Sequence, residues 1–252
     1  MEEHLLDIRH LQTVFHTRDG LIRAVDDVSL YVDPGEIVGV VGESGSGKSV
    51  TMMSILKLIP MPPGEILKGE AFFEGKDILQ YNAKGSELRR VRGGGISMIF
   101  QEPMTSLNPV MTVGEQIQES VMLHLSMKKK EARERAIELL GMVGIPDSQS
   151  RVDYYPNQFS GGMRQRVMIA MAMSCNPRLL IADEATTALD VTTQEQILEL
   201  LRDIVRKTHT ALIIITHNLS IIARYADRIY VMYAGNIVEQ GTCRELFSDA
   251  CH

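Results

Sequence analysis

The run Gly42-Glu43-Ser44-Gly45-Ser46-Gly47-Lys48-Ser49 fills every position of the pattern G-x-x-x-x-G-K-[ST]. Gly42, Gly45 and Gly47 free the backbone to wrap around Ser44, so that its N–H groups point inward at the start of a helix. That makes a nest for an anion. Lys48 would then reach the β- and γ-phosphates of a nucleoside triphosphate, and the Ser49 hydroxyl would ligate Mg²⁺. A second set of acids follows far along the chain. Leu179-Leu180-Ile181-Ala182 is apolar and delivers Asp183-Glu184 at its C-terminal end, the edge of an open α/β sheet where ligands collect. Asp183 suits the Mg²⁺ or its water, and Glu184 suits a general base that orients and deprotonates an attacking water. The long gap between the two sets, and the absence of an Asn-Lys-x-Asp run that would read guanine, weigh against a GTPase.

These residues need strands and helices to aim them. Ile37-Val38-Gly39-Val40-Val41 is apolar throughout, the pattern of a parallel strand buried on both faces. It follows an edge or half-buried strand through Val25, Val28, Leu30 and Val32 and a turn at Asp33-Pro34-Gly35. Val50–Ile59 reads as a helix stopped by Pro60, Pro62 and Pro63. Ala71–Leu79 reads as a strand pair around Glu74-Gly75. From about residue 101 to 176 the apolar spacing becomes helical, with helices over Lys128–Val143 and Ser160–Ser174, the second capped by Ser160. Strand and helix then alternate again. The strands are Leu179–Ala182 and Leu212–Thr216, the helices Val191–Lys207 and Asn218–Tyr225. A final hairpin joins Arg228–Tyr233 to Ile237–Glu239 around Gly235-Asn236. The expectation is a βα core interrupted by a helical insert.

Composition narrows the class. A chain of 252 residues suits one large α/β domain, or a core carrying one inserted subdomain. Its 26 basic and 32 acidic side chains give a net charge of −6, no electrostatic reason to bind nucleic acid or an anionic membrane. Apolar runs such as Ala211–Ile215 fall far short of the roughly 20 residues that a membrane span needs. No signal-peptide pattern is visible at the start. Cys175, Cys243 and Cys251 make neither a CxxC pair nor a disulfide framework. A soluble protein of a reducing compartment is expected, one that reaches a membrane only by docking.

Further motifs carry a resemblance. Phe159-Ser160-Gly161-Gly162-Met163-Arg164-Gln165-Arg166 resembles the signature motif of ATP-binding-cassette (ABC) ATPases, and it precedes the Asp183-Glu184 strand by that family's interval. Gln101 resembles the Q-loop glutamine, Ala188-Leu189-Asp190 the D-loop, and His217 the switch histidine. Phe15 stands where the family has an aromatic that stacks on adenine, although neighbouring His16 could serve instead. The similarity spans residues 5–247. It implies a P-loop (RecA-like) ABC ATPase core with an N-terminal antiparallel β-subdomain and an inserted helical subdomain. In that scheme residues 1–100 and 177–252 form the catalytic core, and 101–176 the helical signature subdomain. ATP and Mg²⁺ are the implied ligands. Gln101 would sense Mg²⁺ and the γ-phosphate, and His217 would support the γ-phosphate and the attacking water. Ser160, Gly161 and Gly162 offer a second anion site at a helix start. The family uses it in a head-to-tail dimer, each ATP lying between one phosphate loop and the partner's signature helix. Two departures stand out: Phe159 and Met163 flank Ser-Gly-Gly in place of Leu and Gln, and Ala185 replaces a common proline. The acid pair itself is intact, as an active ATPase requires.

Phe100-Gln101-Glu102-Pro103-Met104-Thr105-Ser106-Leu107-Asn108-Pro109 and Tyr155-Pro156-Asn157-Gln158 are similar to the oligopeptide/dipeptide/nickel importer branch. This implies a peripheral ATPase on the cytoplasmic face of the membrane, paired with a second ATPase subunit, identical or not. It would be held there by permease subunits and served indirectly by a solute-binding protein, with residues 101–125 receiving the permease. Dipeptides or oligopeptides lead over nickel as cargo. A non-transport cassette ATPase would call for a basic surface, a tandem cassette or a coiled-coil insert, and a regulator without turnover would not need Glu184 and His217. Members of the branch usually continue past a His-Pro-Tyr-Thr segment into a tail, sometimes Cys-rich. This chain stops at Ala250-Cys251-His252, so either a shortened chain or a short natural variant is expected.

Overall fold

The computed structural model describes residues 4–100, 106–185 and 190–248. In chain order the strands are β1 (Leu6–Thr17), β2 (Gly20–Val32), β3 (Ile37–Val41), β4 (Gly64–Phe73), β5 (Lys76–Asp77), β6 (Ile96–Ile99), β7 (Leu179–Asp183), β8 (Ala211–Thr216), β9 (Arg228–Tyr233) and β10 (Asn236–Thr242). The helices are α1 (Lys48–Ile55), α2 (Ser86–Val91), α3 (Val113–Leu125), α4 (Lys129–Met142), α5 (Ser148–Arg151), α6 (Gly161–Ala172), α7 (Val191–Thr208), α8 (Leu219–Tyr225) and α9 (Cys243–Ser248). The chain forms two compact units, residues 1–89 with 211–252, and residues 90–210.

The first unit holds an antiparallel sheet in the order β2-β1-β4-β5. It also holds β3 paired in parallel with β8 and with β9, and β10 antiparallel to β9. Every residue of β3 and β8 is buried, as continuous apolar runs require of strands covered on both faces. Tyr230 ties the two sets of strands together. Its side chain is fully buried, and its hydroxyl accepts from Tyr31 N–H and donates to Tyr31 C=O, both at 3.1 Å. Burial pushes the phenol up to about 12, so it stays a neutral donor at any physiological pH.

Several element ends differ from expectation, as where β10 runs Asn236–Thr242 and β4 starts at Gly64, and two of the differences have clear local reasons. Helix α1 stops at Ile55, ahead of Pro60, because Lys57 enters the left-handed region with φ 49°. The β9–β10 turn is centred on Ala234 (φ 46°) and Gly235 (φ 82°), one residue earlier than the sequence implied. Both central residues are left-handed, which matches the strand twist of a tight hairpin. Glu74 (φ 49°) and Gly75 (φ 74°) do the same between β4 and β5, where the turn was expected.

The second unit contains the parallel pair β6–β7, with Ile96 opposite Leu179 and Ile99 opposite Ala182. Around it stand α3, α4 and α6. Helix α3 opens on a capping box: Thr112 Oγ1 accepts from Glu115 N–H at 3.2 Å, and Glu115 Oε2 accepts from Thr112 N–H at 2.8 Å. Helix α4 buries Ala132, Ala136, Leu139 and Leu140, the helical stripe its spacing encodes. Helix α6 is held at its flank by Arg166, whose guanidinium donates to Val143 C=O at 2.7 Å.

Replacing Tyr230 by Phe leaves Tyr31 N–H and C=O without their partner. We expect a loss of about 1–3 kcal/mol of stability, measurable as a lower urea midpoint at unchanged slope.

Candidate nucleotide site

The phosphate loop lies in the first unit between β3 and α1. Gly45 and Gly47 have φ 81° and 98°. A Cβ on Gly47 would run into Ala24 C=O of β2, and one on Gly42 into Met232 C=O of β9. Glycine is therefore required at both places, by lack of space as well as by backbone angle. The β9–β10 turn closes over the loop: Gly235 N–H donates to Ser46 C=O at 3.1 Å, and Asp26 N–H to Gly235 C=O at 2.7 Å. Lys48 is buried and its ammonium donates to Gly42 C=O (2.9 Å) and Glu43 C=O (2.8 Å). These bonds hold the charge inside the curve of the loop. Gly47 caps α1, no side chain caps that end, and its first turn carries no acid. The helix start therefore presents its N–H groups and positive dipole end to an anion.

In the same unit Phe15 and His16 have different surroundings. The half-buried Phe15 ring rests on Gly64, where a Cβ would stand 3.1 Å from Phe15 Cε1 and 3.2 Å from Ile59 Cδ1. His16 is exposed, meets Glu65 Oε2 at 2.8 Å, and lines a cavity of about 590 Å³ with Lys57, Met61 and Leu67. Thr13 Oγ1 donates to Ser54 Oγ at 2.9 Å, which fastens β1 to α1. His217 follows β8 directly and is exposed. Asn218 then caps α8 by accepting from Ser220 N–H at 3.0 Å.

The second unit carries the acids and the Ser-Gly-Gly run. Asp183 ends β7 and is almost wholly buried. Glu184 comes next with φ 45°, a left-handed backbone that a glutamate adopts at an energetic cost. Backbone strain of this kind clusters at functional sites. Ala185, the next residue, is buried. Ser160 is the N-cap of α6, its hydroxyl accepting from Met163 N–H at 3.4 Å. Gly161 and Ser160 are exposed, and buried Phe159 anchors the approach against Tyr154, ring centroids 6.2 Å apart. Asp190 caps α7, accepting from Thr193 N–H at 2.9 Å and Thr193 Oγ1 at 2.7 Å. The Thr193 hydroxyl and amide hold this carboxyl below its ordinary value, so it stays ionised at neutral pH. Gln101, Ala188 and Leu189 lie outside the described residues.

A buried strand that feeds a glycine-wrapped loop and an uncapped helix start, with a strained acid after a second buried strand, defines a P-loop nucleoside triphosphatase. The sequence model of the ABC transporter family matches residues 25–187. The chain is 55% identical to the oligopeptide transport ATP-binding protein OppD of Bacillus subtilis (strain 168), over 98% of this chain and 69% of that protein. It is 49% identical to the dipeptide transport ATP-binding protein DppD of the same organism, over 99% of this chain and 74% of that one. The dimeric ATP-binding cassette MJ0796, solved in a post-hydrolysis state with ADP and Pi, superposes with a TM-score of 0.82 at 29% identity, over 95% of this chain and 99% of that one. This chain belongs to the ABC transporter family, and it is an ATP-binding, ATP-hydrolysing cassette. Among the described residues no helix is long and apolar enough to cross a membrane.

The strained backbone yields a prediction. Glu184→Gly removes the left-handed penalty and Glu184→Gln keeps it, while both remove the charge. The glycine variant should unfold with about 1 kcal/mol more stability than the glutamine variant in urea. Equal midpoints would show that no strain is held there.

Proposed function

We propose that this chain is the motor subunit of a bacterial importer of oligopeptides or dipeptides, working as one of two cassettes on the cytoplasmic face of the membrane. The observation that carries the reading is the likeness, over 98–99% of this chain and 69–74% of the relatives, to cassettes named for oligopeptide and dipeptide transport. The second cassette, identical or not, supplies the signature side of each site, and permease subunits receive the work. Residues 1–100 with 177–252 act as the catalytic part, and 101–176 as the helical part that meets the permease.

In this reading Phe15 stacks on adenine, favoured over His16 because Glu65 already engages the histidine. The loop N–H groups from Gly42 to Gly47, with Lys48, grip the β- and γ-phosphates, and Lys48 exchanges its bonds to Gly42 and Glu43 C=O for phosphate oxygens. The Ser49 hydroxyl, one residue into α1, and the buried Asp183 carboxylate at the end of β7 are each hard oxygen donors of the kind Mg²⁺ takes, and each would serve as a ligand to it. When bound, Mg²⁺ neutralises charge on the phosphates. Gln101 reports on that arrangement. Water attacks the γ-phosphorus, Glu184 takes the water's proton, and the bond to the β-phosphate oxygen breaks to leave ADP and phosphate. His217 holds the attacking water and the γ-phosphate in line. Ser160, Gly161 and Gly162 of one cassette, with its Asp190, complete the site of the other.

Glu184→Gln should bind ATP with near-native affinity and accumulate as an ATP-stabilised dimer, while turnover falls at least about 100-fold. Gel filtration with light scattering and a phosphate-release assay check this. Native turnover in that variant would refute the base assignment.

A further inference from the structure

Thr193, in the first turn of α7, touches two of the elements that the reading above assigns to the partner-facing side. Its hydroxyl donates to Asp190 Oδ2 at 2.7 Å while its amide N–H donates to Asp190 Oδ1 at 2.9 Å. Its methyl group lies on the opposite branch, against the first turn of α6. A Cβ placed on Gly162 would stand 3.1 Å from Thr193 Cγ2, closer than ordinary van der Waals contact. Gly162 is thus the residue whose missing side chain admits the methyl. Both branches of a β-branched residue are engaged at once, one by each motif. In a helix such a side chain has few rotamers open to it, so a turn about χ1 that freed one contact would break the other as well.

We propose that Thr193 is a positioning residue that yokes Asp190 to the start of the signature helix, fixing the spacing between them. Both elements then reach the partner cassette as one rigid unit when ATP draws the two cassettes together. Thr193 itself touches no nucleotide. A chain with a loose yoke would bind ATP normally, because its own phosphate loop is intact. It would reach the hydrolytic geometry less often, because Asp190 and the Ser160–Gly162 turn would arrive out of register. The inference rests on the composite-site reading above, and its test must separate the two.

Thr193→Val keeps the methyl and removes the hydroxyl; Thr193→Ser does the reverse. ATP affinity of the single cassette, the thermal midpoint, and kcat and KM for ATP are measured for each. Both variants should bind ATP and unfold like the native chain, while kcat falls about five- to tenfold in each. Because Thr193 acts through Asp190, Thr193→Val added to Asp190→Ala should lower kcat no further. Native kcat in Thr193→Val overturns the yoke, as does a loss that adds in full to that of Asp190→Ala. A fall in kcat matched by a fall in thermal midpoint overturns it too, since that marks a general packing defect. Ser160→Arg is the control for the underlying reading. If that variant still hydrolyses ATP, the composite site itself is wrong; if it is inactive and Thr193→Val is native, only the yoke fails.

Discussion

Everything the first unit offers a nucleotide depends on one packing constraint. Between β3 and α1 the backbone runs so close to β2 and to the end of β9 that neither Gly47 nor Gly42 has room for a side chain. The same closeness lets Gly235 reach Ser46 C=O, so the β9–β10 turn, the β2 strand and the loop are mutually fixed. A loop held in this way presents its N–H groups before any anion arrives, and binding costs little reordering. The apolar strands β3 and β8, buried along their whole length, are the rigid base for that geometry. Tyr230 extends the base to the antiparallel sheet through Tyr31.

The second unit holds its groups by other means. Asp183 is buried at a strand end and Glu184 is turned by a left-handed backbone, so two adjacent acids are sent into unlike surroundings. Ser160 and Asp190 each cap a helix, and each therefore spends its oxygen lone pairs locally while staying exposed. Thr193 and Gly162 join those two caps. In the proposed reading the distribution of roles is uneven: the residues assigned to phosphate sit in a loop with no slack, and those assigned to a neighbour's site sit at helix starts braced against each other.

How much of this could be read from sequence followed the range of the interaction. The phosphate loop and Asp183-Glu184 were legible because consecutive residues determine them: backbone angle and strand burial dictate the residue types in order. Ser160 as a cap was legible for the same reason. The early end of α1 was not, because prolines at 60, 62 and 63 are visible while the left-handed turn at Lys57 is not. The unlike surroundings of Phe15 and His16 were also closed to sequence, since they come from Gly64 and Glu65 on another strand. Thr193 carried no signal at all. Its meaning comes from Gly162, a residue distant in the chain, whose lack of a side chain reads locally as anion binding alone.

The claim that ATP is hydrolysed only between two cassettes has one direct test, which is complementation in a mixture. Lys48→Ala removes the phosphate grip and Ser160→Arg blocks the signature side, so each chain alone should be inactive. Mixed dimers contain one intact pairing, the loop of the Ser160→Arg chain with the signature of the Lys48→Ala chain. The account predicts that ATPase activity appears on mixing and rises with the fraction of mixed dimer. A mixture as inactive as its components, under conditions where mixed dimers are shown to form, would contradict it.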